Sequence, residues 1–307
     1  MRPSADFVAP ETLGFESGSE GWWKTVGARR LLFTRLHSRL DLEKTERLQH
    51  TVFGVSDRDL ASSSILVTVH ETGGEVLGAF HGERLVGFVS GWGGYVDGRA
   101  RIVSDLMAVE AGYRGGIGFA LKELQAVVAF QAGFDEIVWT VDPLRAANAR
   151  LNFERLGAHA RKYLRNVYGE HFGAGLYGGL PSDRLLITWP LRSARFGSRL
   201  LGRYEPLEPG ALSSLPEYAP GASASRARLT VPGDFDALLA SDPARACEWR
   251  FRLRHNLEAA FASGYALTGF AGRRGEPHGY YLLSCTENDC FRDLSSLIVV
   301  DHSKALT

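Results

Sequence analysis

The 307-residue chain has few cysteines, no excess charge of either sign and no long apolar run. Its three cysteines, Cys247, Cys285 and Cys290, form neither an even set nor a Cys-x-x-Cys pair. We therefore expect no disulfide framework and no metal site. The 35 basic residues balance 35 acidic ones, so charge gives no reason to expect nucleic acid or an anionic membrane as a partner.

Signals for export or membrane insertion are also missing. The first residues lack a basic region followed by an apolar run, and no stretch approaches the ~18 apolar residues of a spanning helix. We therefore expect a cytoplasmic protein with reduced thiols. Hydrophobic residues make up 45% of the chain, which is enough for a sizeable core.

Changes in composition divide the chain into four regions. Residues 1–25 are rich in Gly, Ser, Glu and Pro and are expected to form a flexible leader. Residues 26–192 form the predicted core, and residues 193–226, with four prolines, form a linker or long loop. Residues 227–307 are predicted to be a small α+β extension, with a helix capped by Asp242.

Hydrophobic periodicity predicts the order β-α-β-β-β-α-β-α-β-β for the core. From this order we predict a mixed α/β (α+β) fold with a mainly antiparallel sheet and helices on both faces. A hairpin is predicted around the turn His81–Glu83. The other predicted features are a helix capped by Asp41, a strand at Ile65–Val69, a strand at Glu136–Val141 and a helix from Arg145 to Leu156 that Gly157 ends.

A glycine-rich turn joins a strand to a helix within Arg101–Ala120, RIVSDLMAVEAGYRGGIGFA. The glycines let the backbone approach a ligand closely. The unpaired first-turn amides and the dipole of the following helix favour a phosphate or pyrophosphate. The dinucleotide-binding fingerprint is incomplete here, and the P-loop pattern G-x-x-x-x-G-K-[ST] is absent.

The segments GAFHGERLVGFVSGW, DLMAVEAGYRGGIGFALKEL, EIVWTVDP and NARLNFERLGA resemble, in this order, the GNAT-superfamily acyl-CoA N-acyltransferases. The resemblance covers about Leu31–Leu191. It implies that the glycine-rich turn binds the coenzyme A pyrophosphate, and that the strand before it splays from its neighbour and binds pantetheine. It assigns cofactor binding to the main chain of Met107, Val109, Arg114, Gly115, Gly116, Gly118 and Phe119, and to Asn148 or Asn152.

The sequence departs from the family pattern in two places. Arg114 stands one residue too close to Gly116, so either Tyr113 takes its place or the loop is one residue shorter. Phe153 occupies the position where the family often has a tyrosine that protonates the departing thiolate. Tyr163, Tyr168 or water would have to take that role.

Attack of an amine on a thioester needs a base to remove a proton and a donor for the oxyanion. Asp105 is the favoured base, followed by Glu110 and His50. Strand alternation predicts that Asp105 shares a face with Met107 and Val109, with Glu110 on the other face. The basic run Arg161–Arg165, or Arg145 and Arg150, could bind an acyl carboxylate or an acidic acceptor.

The sequence thus predicts an N-acyltransferase that moves an acetyl or succinyl group from acyl-CoA to a small-molecule amine, with an amino acid as the first choice. The segments WTVDPLRAANARLNFERLGA and CEWRFRLRHNLEAAFASGYALTGF also resemble a bacterial GNAT subgroup with a C-terminal extension, in which some members are linked to N-acylamino-acid metabolism. Two alternatives stay open, a non-catalytic CoA-binding sensor or scaffold and an acyltransferase of proteins or aminoacyl-tRNA. A homodimer is also left open.

Overall fold

The structure is a computed structural model that describes residues 9–96, 98–169, 178–221 and 223–285. Residues 1–8 of the expected leader, and residues 286–307 of the expected extension with Cys290, lie outside the described residues. The strands are β1 Glu16–Gly18, β2 Gly21–Val26, β3 Arg29–Arg35, β4 Glu75–His81, β5 Arg84–Val96, β6 Arg99–Val109, β7 Glu136–Val141, β8 His159–Leu164, β9 Arg184–Pro190, β10 Arg226–Pro232, β11 Tyr265–Ala271 and β12 His278–Cys285.

The helices pack on both faces of these strands. They are α1 Arg39–Phe53, α2 Ser63–Glu71, α3 Ile117–Gln131, α4 Ala146–Ala149 with a π-helical turn Arg150–Arg155, α5 Ala194–Leu200, α6 Pro209–Ser213, α7 Phe235–Ser241 and α8 Pro243–Ala262. Short 3₁₀ turns cover Pro10–Leu13 and Ala111–Tyr113.

All described strands belong to one sheet, in the order β1-β2-β3-β4-β5-β6-β7-β9-β8-β11-β12-β10. Among these neighbours β6 and β7 are parallel, and the others run antiparallel. The predicted mixed, mainly antiparallel sheet is therefore confirmed. One apolar cluster lies between α1, α2 and the sheet, and a larger one includes α3, α4 and the helices of the extension.

The expected loose leader is largely ordered in its described part. β1 and β2 form a hairpin that extends the sheet, and Trp22 packs against the larger cluster. Lys24 Nζ lies 2.6 Å from Glu123 Oε2 of α3, and both side chains are mostly buried. The hairpin therefore covers the outer side of α3, which explains why α3 is buried almost all round.

Two local predictions are wrong. Ile65–Val69 lies in α2 and not in a strand, because the Ser62 hydroxyl accepts from the Ile65 amide and starts a helix. The N-cap of α1 is Ser38, which accepts from the amide of Asp41, so Asp41 lies inside the first turn. A short apolar run fits a strand or a buried helix equally well, and the capping serine decides between them.

The C-terminal region continues the same sheet instead of forming a separate layer. β11 pairs with β8 at Leu267 and Ala160, and β12 and β10 follow. The predicted cap is confirmed, since the Asp242 carboxylate accepts from the Arg245 amide at the start of α8. The expected linker contains α5, which Ser193 caps, and α6.

Candidate functional site

The parallel strands β6 and β7 separate partway along their length. They pair at Arg101–Glu136, Ile102–Ile137 and Val103–Val138, and no pairing between them follows in the described chain. β6 stays paired with β5 as far as Val109, and β7 stays paired with β9 as far as Val141. A cleft therefore opens between residues 104–109 and 139–141, which confirms the expected splay. We call Ser104 and Trp139, the first residues past the last pair, the apex.

The glycine-rich turn lies at the open end of this cleft. Gly115 and Gly116 have φ values of 115° and 148°, which L side chains rarely adopt. A Cβ on Gly116 would also lie 2.7 Å from a methyl group of Val26 in β2. Both glycines are therefore required by the backbone path, and Gly116 also by the close approach of β2.

The turn leads into α3 with a row of free amides. Within the described chain, the main-chain amides of residues 115–119 donate no hydrogen bond to a main-chain carbonyl oxygen. With the positive end of the helix dipole, such amides favour an anion. Gly118 faces β6, and an added Cβ would lie at the ordinary contact distance of 3.5–3.7 Å from the side chains of Met107 and Val109.

The prediction that Asp105 shares a face with Met107 and Val109 is wrong. A β-bulge interrupts the β5–β6 register, with Gly91 opposite Ser104 and Ser90 opposite Leu106, so Asp105 is the extra residue. A bulge of one residue shifts the alternation of side chains. Met107 packs on the α3 side, whereas Asp105 accepts a hydrogen bond from Trp92, which packs with the α1–α2 cluster.

Asp105 thus lies at the cleft on the face opposite α3. Its side chain reaches solvent, yet desolvation by the surrounding protein raises the pKa of its carboxyl group, and the hydrogen bond from Trp92 opposes that rise. A carboxylate with a raised pKa is better matched to proton abstraction near neutral pH than an ordinary aspartate.

The two other candidate bases have different partners. Glu110 Oε1 lies 2.6 Å from Arg84 Nη2 in a shallow groove beside α1. His50 Nε2 lies 3.1 Å from Asp57 Oδ1, and its Nδ1 lies 2.8 Å from the Val55 carbonyl oxygen. These contacts occupy both side chains on the α1 side of the sheet.

The two tyrosines considered as the acid that protonates the thiolate have different surroundings. The Tyr163 hydroxyl donates to Asp183 Oδ2 at 2.7 Å, and burial is the main cause that raises its pKa. The Tyr168 hydroxyl lies 3.1 Å from Thr140 Oγ1, and Thr140 belongs to the part of β7 that borders the cleft. The Tyr168 hydroxyl therefore lies beside the β7 side of the cleft, whereas the Tyr163 hydroxyl is bonded to Asp183.

The remaining predicted site residues differ in whether they are exposed, buried or bonded to other side chains or the main chain. Asn148 is exposed on α4, whereas Asn152 is 2% exposed, so Asn148 is the more accessible of the two. Phe153 is fully buried against Tyr281. Arg165 binds Glu258 at 2.5 Å and Arg145 binds Asp236 at 3.2 Å, while Arg150 donates to the Gly272 carbonyl oxygen.

A polar cluster beneath the apex was missed by the sequence analysis. Lys122 Nζ of α3 lies 2.7 Å from Ser104 Oγ, 3.0 Å from Gln125 Oε1 and 4.2 Å from the centroid of the Trp139 ring. Glu75 of β4 is buried nearby. The available signal was Lys122 and Gln125, polar residues at i and i+3 in a mainly apolar helix.

In the described part of the chain no group of three or more His, Cys, Asp or Glu side chains is arranged to hold a metal ion. Among the same residues no helix is long and apolar enough to cross a membrane.

No protein-family model and no curated protein matches the chain. Solved structures do resemble it. The ribosomal-protein-S18-alanine N-acetyltransferase from Escherichia coli is 19% identical over 53% of this chain and 96% of its own, with a TM-score of 0.42. A GNAT-family acetyltransferase from Streptococcus pneumoniae is 16% identical over 52% and 97%, with a TM-score of 0.40.

A chain of the NatC complex, solved with Gag peptide and CoA, is 18% identical over 52% of this chain and 98% of its own, with a TM-score of 0.43. With identities of 16–19% and TM-scores below 0.5, no substrate or activity follows from these similarities. The parallel pair β6–β7, which separates partway along its length, is nevertheless the splay that the sequence resemblance implies.

Proposed function

We propose that this chain is an N-acyltransferase that moves an acetyl or succinyl group from acyl-CoA to the amine of a small molecule, with an amino acid as the first choice. The observation that carries the proposal is the cleft between β6 and β7, which ends at the free amides of residues 115–119. An extended, amide-bearing arm fits beside an unpaired strand, and a pyrophosphate fits at the amides of a helix N-terminus.

The residues of the cleft have separate roles in binding. The main chain of Met107 and Val109, unpaired on the β7 side, would bind the pantetheine amides. The main chain of Arg114, Gly115, Gly116, Gly118 and Phe119 would bind the pyrophosphate, and Asn148 of α4 would contact the arm. The exposed guanidinium of Arg114 would add charge complementarity at the same turn.

Chemistry would follow by direct attack of a neutral amine on the thioester. Asp105 removes a proton from the amine on the face opposite α3, directly or through water. Unpaired amides of β6 donate to the oxyanion. Tyr168, at the β7 side of the cleft, then donates a proton to the departing thiolate.

The test is calorimetric titration with CoA, acetyl-CoA and succinyl-CoA, followed by a screen of amino acids with any donor that binds. The diagnostic variant is Gly118→Asp, because Gly118 has an ordinary backbone conformation and room for a Cβ. An aspartate in the first turn stabilises a helix by ~0.3–1 kcal/mol, so the melting temperature should not fall. Its charge should repel the pyrophosphate and weaken CoA binding by about tenfold or more.

Gly112→Asp is the matched control, since Gly112 is exposed before the turn and an added Cβ meets no atom within 4 Å. Equal CoA affinity in wild type and Gly118→Asp would show that the glycine-rich turn does not bind the pyrophosphate. Tight CoA binding without turnover on any amine would favour the sensor or scaffold alternative.

A further inference from the structure

Lys122 lies where the two walls of the cleft meet. Its ammonium group contacts Ser104 of β6 and Trp139 of β7, the two residues that define the apex. Ser104, Trp139 and Lys122 are only 6%, 7% and 3% exposed. A lysine side chain therefore closes the inner end of the cleft from the α3 side.

The charge of this lysine has no close counter-ion. Its hydrogen-bond partners, Ser104 and Gln125, are neutral. Among the ion pairs of the described residues none includes Lys122. Glu75 acts on it only from a distance, and Glu75 Oε1 has no hydrogen-bond partner in the described structure. A buried ammonium without a carboxylate is costly to maintain, which is a reason to look for an anionic ligand.

The position of Lys122 along β6 suits the end of an acyl chain. The proposed pantetheine contacts are at Met107 and Val109. Ser104 is three residues before Met107, and the bulge residue Asp105 lies between them, so the distance along β6 is less than the roughly 10 Å of a fully extended strand. The acyl group of a bound thioester would extend from Met107 toward the apex. A four-carbon chain extends about 5 Å, so the carboxylate of a succinyl group comes closer to the apex than the end of a two-carbon acyl group does.

Resting on the proposed function, we propose that Lys122 is a specificity-determining residue that binds the terminal carboxylate of a dicarboxylic acyl group in the donor thioester. Ser104 would add a hydroxyl donor beside the ammonium group. Of the basic residues that the sequence suggested for this role, Arg145 and Arg165 are paired with carboxylates, and Arg150 donates to a carbonyl oxygen. The apex thus supplies the cation that the basic run was expected to supply.

The decisive experiment compares succinyl-CoA with butyryl-CoA, which has the same four-carbon chain but a methyl group in place of the carboxylate. Dissociation constants are measured by calorimetry, with free CoA as the baseline. Wild type should bind succinyl-CoA more tightly than butyryl-CoA by about tenfold to a hundredfold, the range of a charge-assisted hydrogen bond. Lys122→Met, similar in length but uncharged, should lose this preference and keep the affinity for free CoA.

Lys44→Met is the control, because Lys44 lies on α1 and pairs with Asp41, and it should keep the wild-type preference. Equal binding of the two thioesters by wild type, or a preference that survives in Lys122→Met, would overturn the role of Lys122 while the proposed function stands. Failure of every CoA compound to bind would instead refute the proposed function.

A pH series on wild type needs no variant and guards against misfolding of Lys122→Met. Burial lowers the pKa of Lys122 to about 7, and burial raises the pKa of Glu75, the titratable group that faces it, to about 8. Below pH 7 the cluster therefore carries a positive charge, and above pH 8 it carries a negative one. The preference for succinyl-CoA should decline between these limits, and a preference that is constant across them would contradict the proposal.

Discussion

Arg250→Met should lower the free energy of unfolding by about 3–5 kcal/mol. Arg250 of α8 binds Asp142, the residue after β7, through two hydrogen bonds of 2.9 and 2.7 Å. The two side chains are 0% and 3% exposed, so removing the guanidinium leaves a buried carboxylate. That carboxylate would keep the Leu144 amide as a donor, and one amide does not replace two charged donors.

The measurement is equilibrium urea unfolding followed by tryptophan fluorescence. Arg273→Met is the matched control, because its pair with Glu208 has side chains 67% and 65% exposed, and such a pair contributes at most ~1 kcal/mol. The double variant Arg250→Met/Asp142→Leu should regain much of the lost stability, since it removes both buried charges. Equal losses for Arg250→Met and Arg273→Met would show that the buried pair does not join α8 to β7.

Three further outcomes concern the proposed chemistry. Asp105→Asn should reduce kcat strongly without changing CoA affinity, and normal turnover would exclude Asp105 as the base. Trp92→Phe removes the hydrogen bond that lowers the pKa of Asp105. Because the base acts only when it is deprotonated, the acidic limb of the rate–pH profile should move to higher pH. An unshifted acidic limb would contradict this role of Asp105. Tyr168→Phe should lower kcat without changing CoA affinity. An unchanged kcat would indicate that water, and not Tyr168, protonates the departing thiolate.

The features that the sequence predicted best depend on neighbours along the chain. The strand Glu136–Val141 has the predicted bounds, because a short apolar run between a turn and Asp142-Pro143 has few alternatives. Gly157 follows the π-helical turn with a φ of 70°, as a helix C-terminal glycine should. The turn His81–Glu83 and the glycine-rich turn are equally local, and both were predicted from their residues.

The features that escaped prediction depend on contacts between distant segments. The bulge at Asp105 appears only when β5 sets the register opposite β6, so simple alternation put Asp105 on the wrong face. The place of Lys122 beneath the apex appears only when α3 packs on β6 and β7, which bring Ser104 and Trp139 to its ammonium group. The hydrogen bond that occupies the Tyr163 hydroxyl likewise requires Asp183, which lies 20 residues further along the chain.

The two walls of the cleft are held by different parts of the chain. β6 is held by a long ladder to β5, which belongs to the predicted core. The end of β7 is held in addition by the extension, through Arg250 on Asp142 and through the Tyr281 hydroxyl, which donates to the Pro143 carbonyl oxygen at 2.7 Å. Since α4, with Asn148, starts directly after these two residues, the extension positions one wall of the cleft and the helix expected to contact pantetheine. On this argument the C-terminal region is part of the frame of the site, and its buried ion pair links folding stability to the geometry of the cleft.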